Sequence, residues 1–299
     1  MTAELFQSYF GLTGVPFALT PDPDFLFWSP HHRKAFTVLE YGLMSGAPVT
    51  VLTGEVGSGK TTLLHALLAV LPKDTKVGLI SNANAANGQL MRWIANSLDI
   101  PILDPNDTVG MFESFQSYVI EQFAQGRRVV LIIDEAQNLG PERLEELRML
   151  TNINAGKNEL LQLMLIGQPE LRSLLSQHSL RQFAQRVSVF FHLKEMDLQA
   201  TGNYIRHRLK HVGGTGDEFS TEAIALIHEQ ARGVPRVINK LCDLSMVYAA
   251  SAGRKTVDLE VIEELLDDGI VLFSETPFPL EEDMRTDVPN CETPNDGSR

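Results

Sequence analysis

Between Val51 and Thr62 an apolar run, Val-Leu-Thr, enters Gly54-Glu-Val-Gly-Ser-Gly-Lys-Thr61, and Leu63, Leu64, Ala66 and Leu67 follow at helical spacing. Strand, glycine-rich loop and helix in that order confine the chain to folds in which a helix starts at a sheet edge. Gly54, Gly57 and Gly59 let the backbone turn tightly and aim its N–H groups inward, where they and the positive end of the helix hold phosphate. Lys60 then neutralises the β- and γ-phosphates and Thr61 ligates Mg²⁺. The candidate nucleotide site is therefore Gly54, Glu55, Val56, Gly57, Ser58, Gly59, Lys60, Thr61 and Thr62. The plain alternative is an ordinary glycine-rich turn.

The chain around this loop is that of a globular protein. Of 299 residues, 43% are hydrophobic and 21% charged, enough for a sizeable core and about two domains. No stretch approaches the ~18 apolar residues of a membrane span, and Met1-Thr-Ala-Glu-Leu-Phe lacks the basic start and apolar run of a secretory signal. The expected location is the cytoplasm, with peripheral association at the inner membrane as an extension. Cys242 falls in a helical pattern and Cys291 in a polar tail, which gives neither a disulfide framework nor a metal-ligand spacing. The formal net charge is −13, and residues 274–299 carry seven acids against two arginines. A globally basic footprint for nucleic acid is missing.

Four regions follow from the pattern. Residues 1–48 open with Tyr9, Phe10, Phe17, Phe25, Phe27 and Trp28 among turn formers; so many rings are costly to leave in water, so this is an arm that packs, more as core than as ligand contact. Ser29 then caps a helix with Pro30 at its first position and Ala35, Phe36, Leu39 and Leu43 on one stripe. From 49 to 194, strands near 49–53, 77–81, 129–133, 161–166 and 187–191 alternate with helices from 60, near 87–98, near 110–124 and from Pro141. Such alternation implies a parallel sheet covered on both faces. From 195 to 271 helices near 197–211, 220–231, 234–251 and 258–268 form a small helical domain. Residues 272–299 lack the apolar content to order themselves.

A second constellation joins the phosphate loop. Val129-Val-Leu-Ile-Ile-Asp134-Glu135 is a continuous apolar strand ending in two acids, which places both at the carboxyl edge of the sheet. Asp134 is positioned to hold Mg²⁺, mostly through water, and Glu135 to polarise the attacking water. Two solvated acids at a strand end are the alternative.

The order of loop, acid pair, later strand ending in a polar residue, Arg before the last strand and Gly-x-Pro-Arg helix resembles the AAA+ ATPases, and within them the ExeA (general secretion pathway protein A) branch. The resemblance rests on Tyr9-Phe-Gly-Leu, Pro16-Phe, Thr20-Pro-Asp-Pro-Asp-Phe-Leu-Phe-Trp-Ser29, His32, Ala35 and Tyr41-Gly-Leu43. It rests equally on Asp134-Glu-Ala-Gln-Asn-Leu139, Leu165-Ile-Gly-Gln-Pro-Glu-Leu171 and Gly233-Val-Pro-Arg-Val-Ile-Asn-Lys-Leu-Cys242. It covers residues 1 to about 270 and implies an AAA+ P-loop core followed by a helical lid.

The resemblance also implies roles. Gln168 takes the place of sensor 1, against a turn residue before Pro169, and Arg236 that of sensor 2, against a solvated Arg. Arg186, with Arg181 as its alternative, matches an arginine finger that reaches a neighbour's γ-phosphate in a ring of identical subunits. His31 and His32 lie beside adenine if the arm packs as in relatives, and are otherwise exposed at a helix start. Longer members continue into a membrane span and a peptidoglycan-binding domain, whereas this sequence ends in an acidic tail, so a stand-alone ATPase for an envelope system is the expectation. The other class of function is a DNA-binding transposition or recombination regulator. DNA-wrapping relatives need basic residues between Gly78 and Gly126, where this chain has Arg92 against Asp99, Asp104, Asp107, Glu113 and Glu121. The implied cofactors are ATP and Mg²⁺, and the implied partners are further copies of the chain and proteins of the envelope machinery.

Overall fold

The computed structural model describes residues 6–19, 25–81, 90–104, 106–155 and 158–269. The acidic tail, Cys291 and the Thr20–Asp24 part of the arm signature lie outside them, as does the start of the helix expected near 87.

Five strands form one parallel sheet: β1 (Val49–Gly54), β2 (Thr75–Ile80), β3 (Arg128–Ile133), β4 (Leu161–Gly167) and β5 (Val187–Leu193). Their spatial order is β2-β3-β4-β1-β5. Every residue of β1 and β4 is buried, as continuous Val, Leu and Ile runs require of strands covered on both faces. The edge strands are more open: β2 buries only Gly78 and Ile80, and β5 only Leu193. The order decides the chemistry. Because β4 is inserted between β1 and β3, with Thr53 level with Gly167 and Ile133 level with Leu165, the loops after β1, β3 and β4 emerge side by side.

Helices α1 (Pro30–Met44) and α2 (Lys60–Val70) contribute Ala35, Leu39, Leu43, Leu63, Leu64 and Leu67 to the core on one face of the sheet, against Leu52, Ile132 and Ile166. The other face is covered by α3 (Leu90–Ser97), α4 (Thr108–Ala124), α5 (Gly140–Leu150) and the short α6 (Glu170–Leu175) and α7 (Arg181–Ala184). Ser29 caps α1 through the His32 N–H as expected, with Pro30 in the first turn. A two-residue antiparallel pair, Asn154–Ala155 with Asn158–Glu159, is an addition to the expected elements.

The second domain is α8 (Leu198–His211), α9 (Thr221–Ala231), α10 (Pro235–Ser251) and α11 (Leu259–Asp267), three of them capped by Asp197, Ser220 and Asp258. Within the region expected at 1–48, the described residues pack on two bodies. Leu12 and Phe17 are buried in the core of the helical domain, Phe17 edge-on to Phe219, whereas α1 packs on the sheet. The arm is further tied down by Thr13, whose N–H and hydroxyl donate to the Val212 carbonyl, and by Arg208, which donates to the carbonyls of Pro16 and Ala18.

Candidate active site

A cleft of about 400 Å³ opens between the phosphate loop, the arm and the helical domain. Its walls include Val56, Gly57, Gly59, Lys60, Thr61, Thr62 and Glu135 on the sheet side and Tyr204, Arg208 and Arg236 on the other. Gly57 and Gly59 adopt φ of +76° and +98°, conformations costly for any residue with a Cβ. The start of α2 has no side-chain cap, so its first N–H groups remain available at the loop. The buried Ser58 hydroxyl has no hydrogen-bond partner. Lys60 is buried and donates to the carbonyls of Gly54 (2.8 Å) and Glu55 (2.9 Å). Burial pulls its ammonium below the ordinary lysine value against the opposing pull of Glu135, Asp134, Glu55 and Glu170. Uncapped donors, an orphaned hydroxyl and a desolvated cation fit a polyphosphate, which when bound supplies the transferable phosphoryl group.

Asp134 and Glu135 follow β3 as the sequence places them. Burial raises the Asp134 carboxyl above its ordinary value, opposed chiefly by the Glu135 N–H that donates to Oδ1 at 2.9 Å. The Thr61 hydroxyl donates to Asp134 Oδ2 at 3.5 Å, so the two residues meant for Mg²⁺ lie together. Among the described residues no group of three His, Cys, Asp or Glu could hold a metal by itself. Glu135 sits at φ +54°, ψ +39°, a left-handed conformation that costs a residue with a Cβ about 1–2 kcal/mol. It turns the chain from β3 into a 3₁₀ segment, Ala136–Leu139, and presents the carboxylate to the cleft. Gln168, at the end of β4, donates its amide to Glu135 Oε2 at 3.1 Å.

On the facing side Arg236 stands in the first turn of α10, its N–H donating to Gly57 O at 3.3 Å. A Cβ on Gly57 would come within 2.4 Å of Arg236 Cβ, so this glycine also gives the second domain room to touch the loop. His32 lines the cleft, but both ring nitrogens are engaged inside the protein: Nδ1 with Ser29 Oγ (2.7 Å) and Nε2 with Ser58 O (3.1 Å). A carbonyl only accepts, so Nε2 carries the proton and the ring props the loop from below. This corrects the exposed-helix-start alternative, since His32 is 4% exposed.

Arg186 precedes β5 at the opposite end of the sheet from Lys60, its guanidinium donating to Thr151 O (3.0 Å) and to Asn152 Oδ1. Arg181 opens α7 and is exposed. Three contributors escaped the sequence reading. Arg208, buried over the ring of Phe25 at 4.6 Å, donates to Tyr204 Oη, which donates to Asn239, and all three line the cleft. Their only sequence signal is polar residues on the inner stripes of α8 and α10.

Residues 43–175 match the family model described as an AAA domain. The chain is 37% identical over 249 residues to general secretion pathway protein A of Aeromonas hydrophila, covering 83% of this chain and 46% of that protein. The chain is an AAA+ protein of the ExeA type. It spans about half the length of that relative. The AAA+ fold is shared with the ORC2 protein of Aeropyrum pernix in its ADPNP–ADP complexes, at a TM-score of 0.60 and 16% identity over 85% of this chain and 71% of that one. Cdc6p of Pyrobaculum aerophilum aligns at a TM-score of 0.59 and 19% identity, over 84% and 68% of the two chains. Among the described residues of this AAA+ protein no helix is long and apolar enough to cross a membrane.

Proposed function

We propose that this chain binds Mg-ATP in the cleft, hydrolyses it, and works as a ring-forming assembly motor or switch for a bacterial envelope system such as type II secretion, type IV pilus or exopolysaccharide export. The observation that carries the hydrolytic part is Glu135. A carboxylate held in a costly backbone conformation, with one oxygen fixed by the Gln168 amide and Lys60 beside it in the cleft, has the arrangement of a general base aimed at water. In this reading Lys60 and the α2 N-terminus hold the phosphates, Thr61 and Asp134 hold the ion, Gln168 orients Glu135, and Arg236 closes the second domain over the nucleotide. The envelope role is supported by the likeness to general secretion pathway protein A. Sequence-independent DNA binding is disfavoured by the acidic segment around α3 and α4, where Arg92 is the sole Lys or Arg between Gly78 and Gly126.

Two variants test the reading. Lys60→Ala is expected to lower affinity for a fluorescent ATP analogue by at least tenfold, and Glu135→Gln to retain that affinity while hydrolysis under saturating Mg-ATP falls at least a hundredfold. Wild-type turnover in Glu135→Gln removes Glu135 from the mechanism, and unchanged binding in Lys60→Ala removes the nucleotide from this cleft.

A further inference from the structure

We propose that Gln137 is a positioning residue that fixes the Glu135 carboxylate and locks it to the end of β4; the proposal rests on the hydrolytic reading above. The Gln137 Nε2 donates to Glu135 Oε2 at 2.5 Å, and its Oε1 accepts the Gln168 backbone N–H at 3.1 Å. The Gln168 Nε2 donates to the same Glu135 oxygen at 3.1 Å. One amide therefore joins three points: the carboxylate after β3, the main chain after β4, and, through the shared oxygen, the Gln168 side chain. Glu135 Oε2 receives two donors, which leaves Oε1 as the oxygen for an attacking water.

An independent observation comes from Gly167, the last residue of β4. Its φ is not positive, so backbone freedom does not call for glycine there. A Cβ would stand 2.7 Å from Gln137 Oε1 and 3.0 Å from Leu171 Cδ2. The absent side chain leaves the room in which the Gln137 amide oxygen reaches the end of β4 while its nitrogen reaches Glu135.

The clamp has a mechanical consequence. A movement of the β4 end shifts the Gln168 N–H, and the Gln137 amide is bonded to that N–H at one end and to the carboxylate at the other. The general base is thus held at a fixed angle to the end of β4, and an error of about 1 Å in such a placement costs on the order of a hundredfold in rate.

Gln137→Met keeps the side-chain length without the hydrogen bonds, and Gln137→Glu keeps the acceptor for Gln168 but removes the donor. Both are expected to leave the thermal midpoint and ATP affinity near wild type and to lower kcat about 10- to 100-fold. Independently of turnover, the Gln137 side-chain amide is followed by ¹H–¹⁵N NMR in the nucleotide-free protein. Its signal is expected away from the solvent-exposed position and to move on Glu135→Gln. A wild-type kcat in Gln137→Met alongside an inactive Glu135→Gln overturns the proposal while leaving the hydrolytic reading standing. So does a solvent-like Gln137 amide that ignores Glu135→Gln. Should the wild type show no hydrolysis, that reading falls, and the amide spectrum alone decides the clamp.

Discussion

His32 shows how one buried side chain sets a condition on the phosphate loop. Burial lowers its basicity below the ordinary 6.5, with the Ser58 carbonyl opposing and the charge of His31 reinforcing. The unfolded chain therefore takes up a proton at a pH where the folded chain does not, so stability from this site is complete above about pH 6.5 and is lost as pH falls below it. His32→Gln retains a donor for Ser58 and does not titrate. Thermal midpoints of both proteins, compared between pH 7.5 and pH 5, are expected to show the larger acid loss in the wild type; equal losses would remove His32 as the cause. The residue scale is also where the sequence was least legible. Lys60, Asp134 and Glu135 could be read because each belongs to a contiguous pattern whose spacing is the chemistry. The contacts of His32 with Ser58, and of Gln137 with the Gln168 main chain, join residues 26 and 31 positions apart. No local periodicity encodes such meetings.

At the scale of elements, most strands and helices end within two residues of where their patterns place them, because apolar runs and caps are local signals. Strand order is not local. Nothing in the run Leu161–Gly167 states that it enters between β1 and β3, yet that insertion brings Gln168 to Glu135. The arm is the other case: its ring density announces burial without saying against what. Phe17 answers, being fully buried between the arm and the helical domain. Phe17→Ala should cost about 3–5 kcal/mol, as truncation of a buried aromatic does, read as a lower denaturant midpoint. If the free energy of unfolding falls by less than a fifth of that, the arm is a passive cover.

At the scale of the whole molecule, Lys60 and Arg186 lie at opposite ends of the sheet. Lys60 follows the carboxyl end of β1 and Arg186 precedes the amino end of β5, which at about 3.3 Å per residue are separated by roughly 20 Å along the sheet. A finger role for Arg186 therefore requires the site of a neighbouring copy. Mixing Arg186→Ala with Glu135→Gln is expected to restore hydrolysis that neither variant has, since some interfaces then hold both functional groups. Mixed oligomers that stay inactive would assign Arg186 to anchoring α5 through Thr151 and Asn152, and direct attention to Arg181. The two bodies are joined by two crossings of the chain. Phe27 packs edge-on to Tyr204 in the helical domain, and the next residue, Trp28, packs edge-on to Phe36 on the sheet domain. On the return, Leu193 belongs to the sheet core and Met196 to the helical core. The backbone thus passes from one body to the other at two short, separate stations. Two anchored crossings leave a panel one easy motion, a swing about the line joining them, so any opening of the cleft at this joint is expected to go as a door on its hinges and not as a cap lifts off a jar.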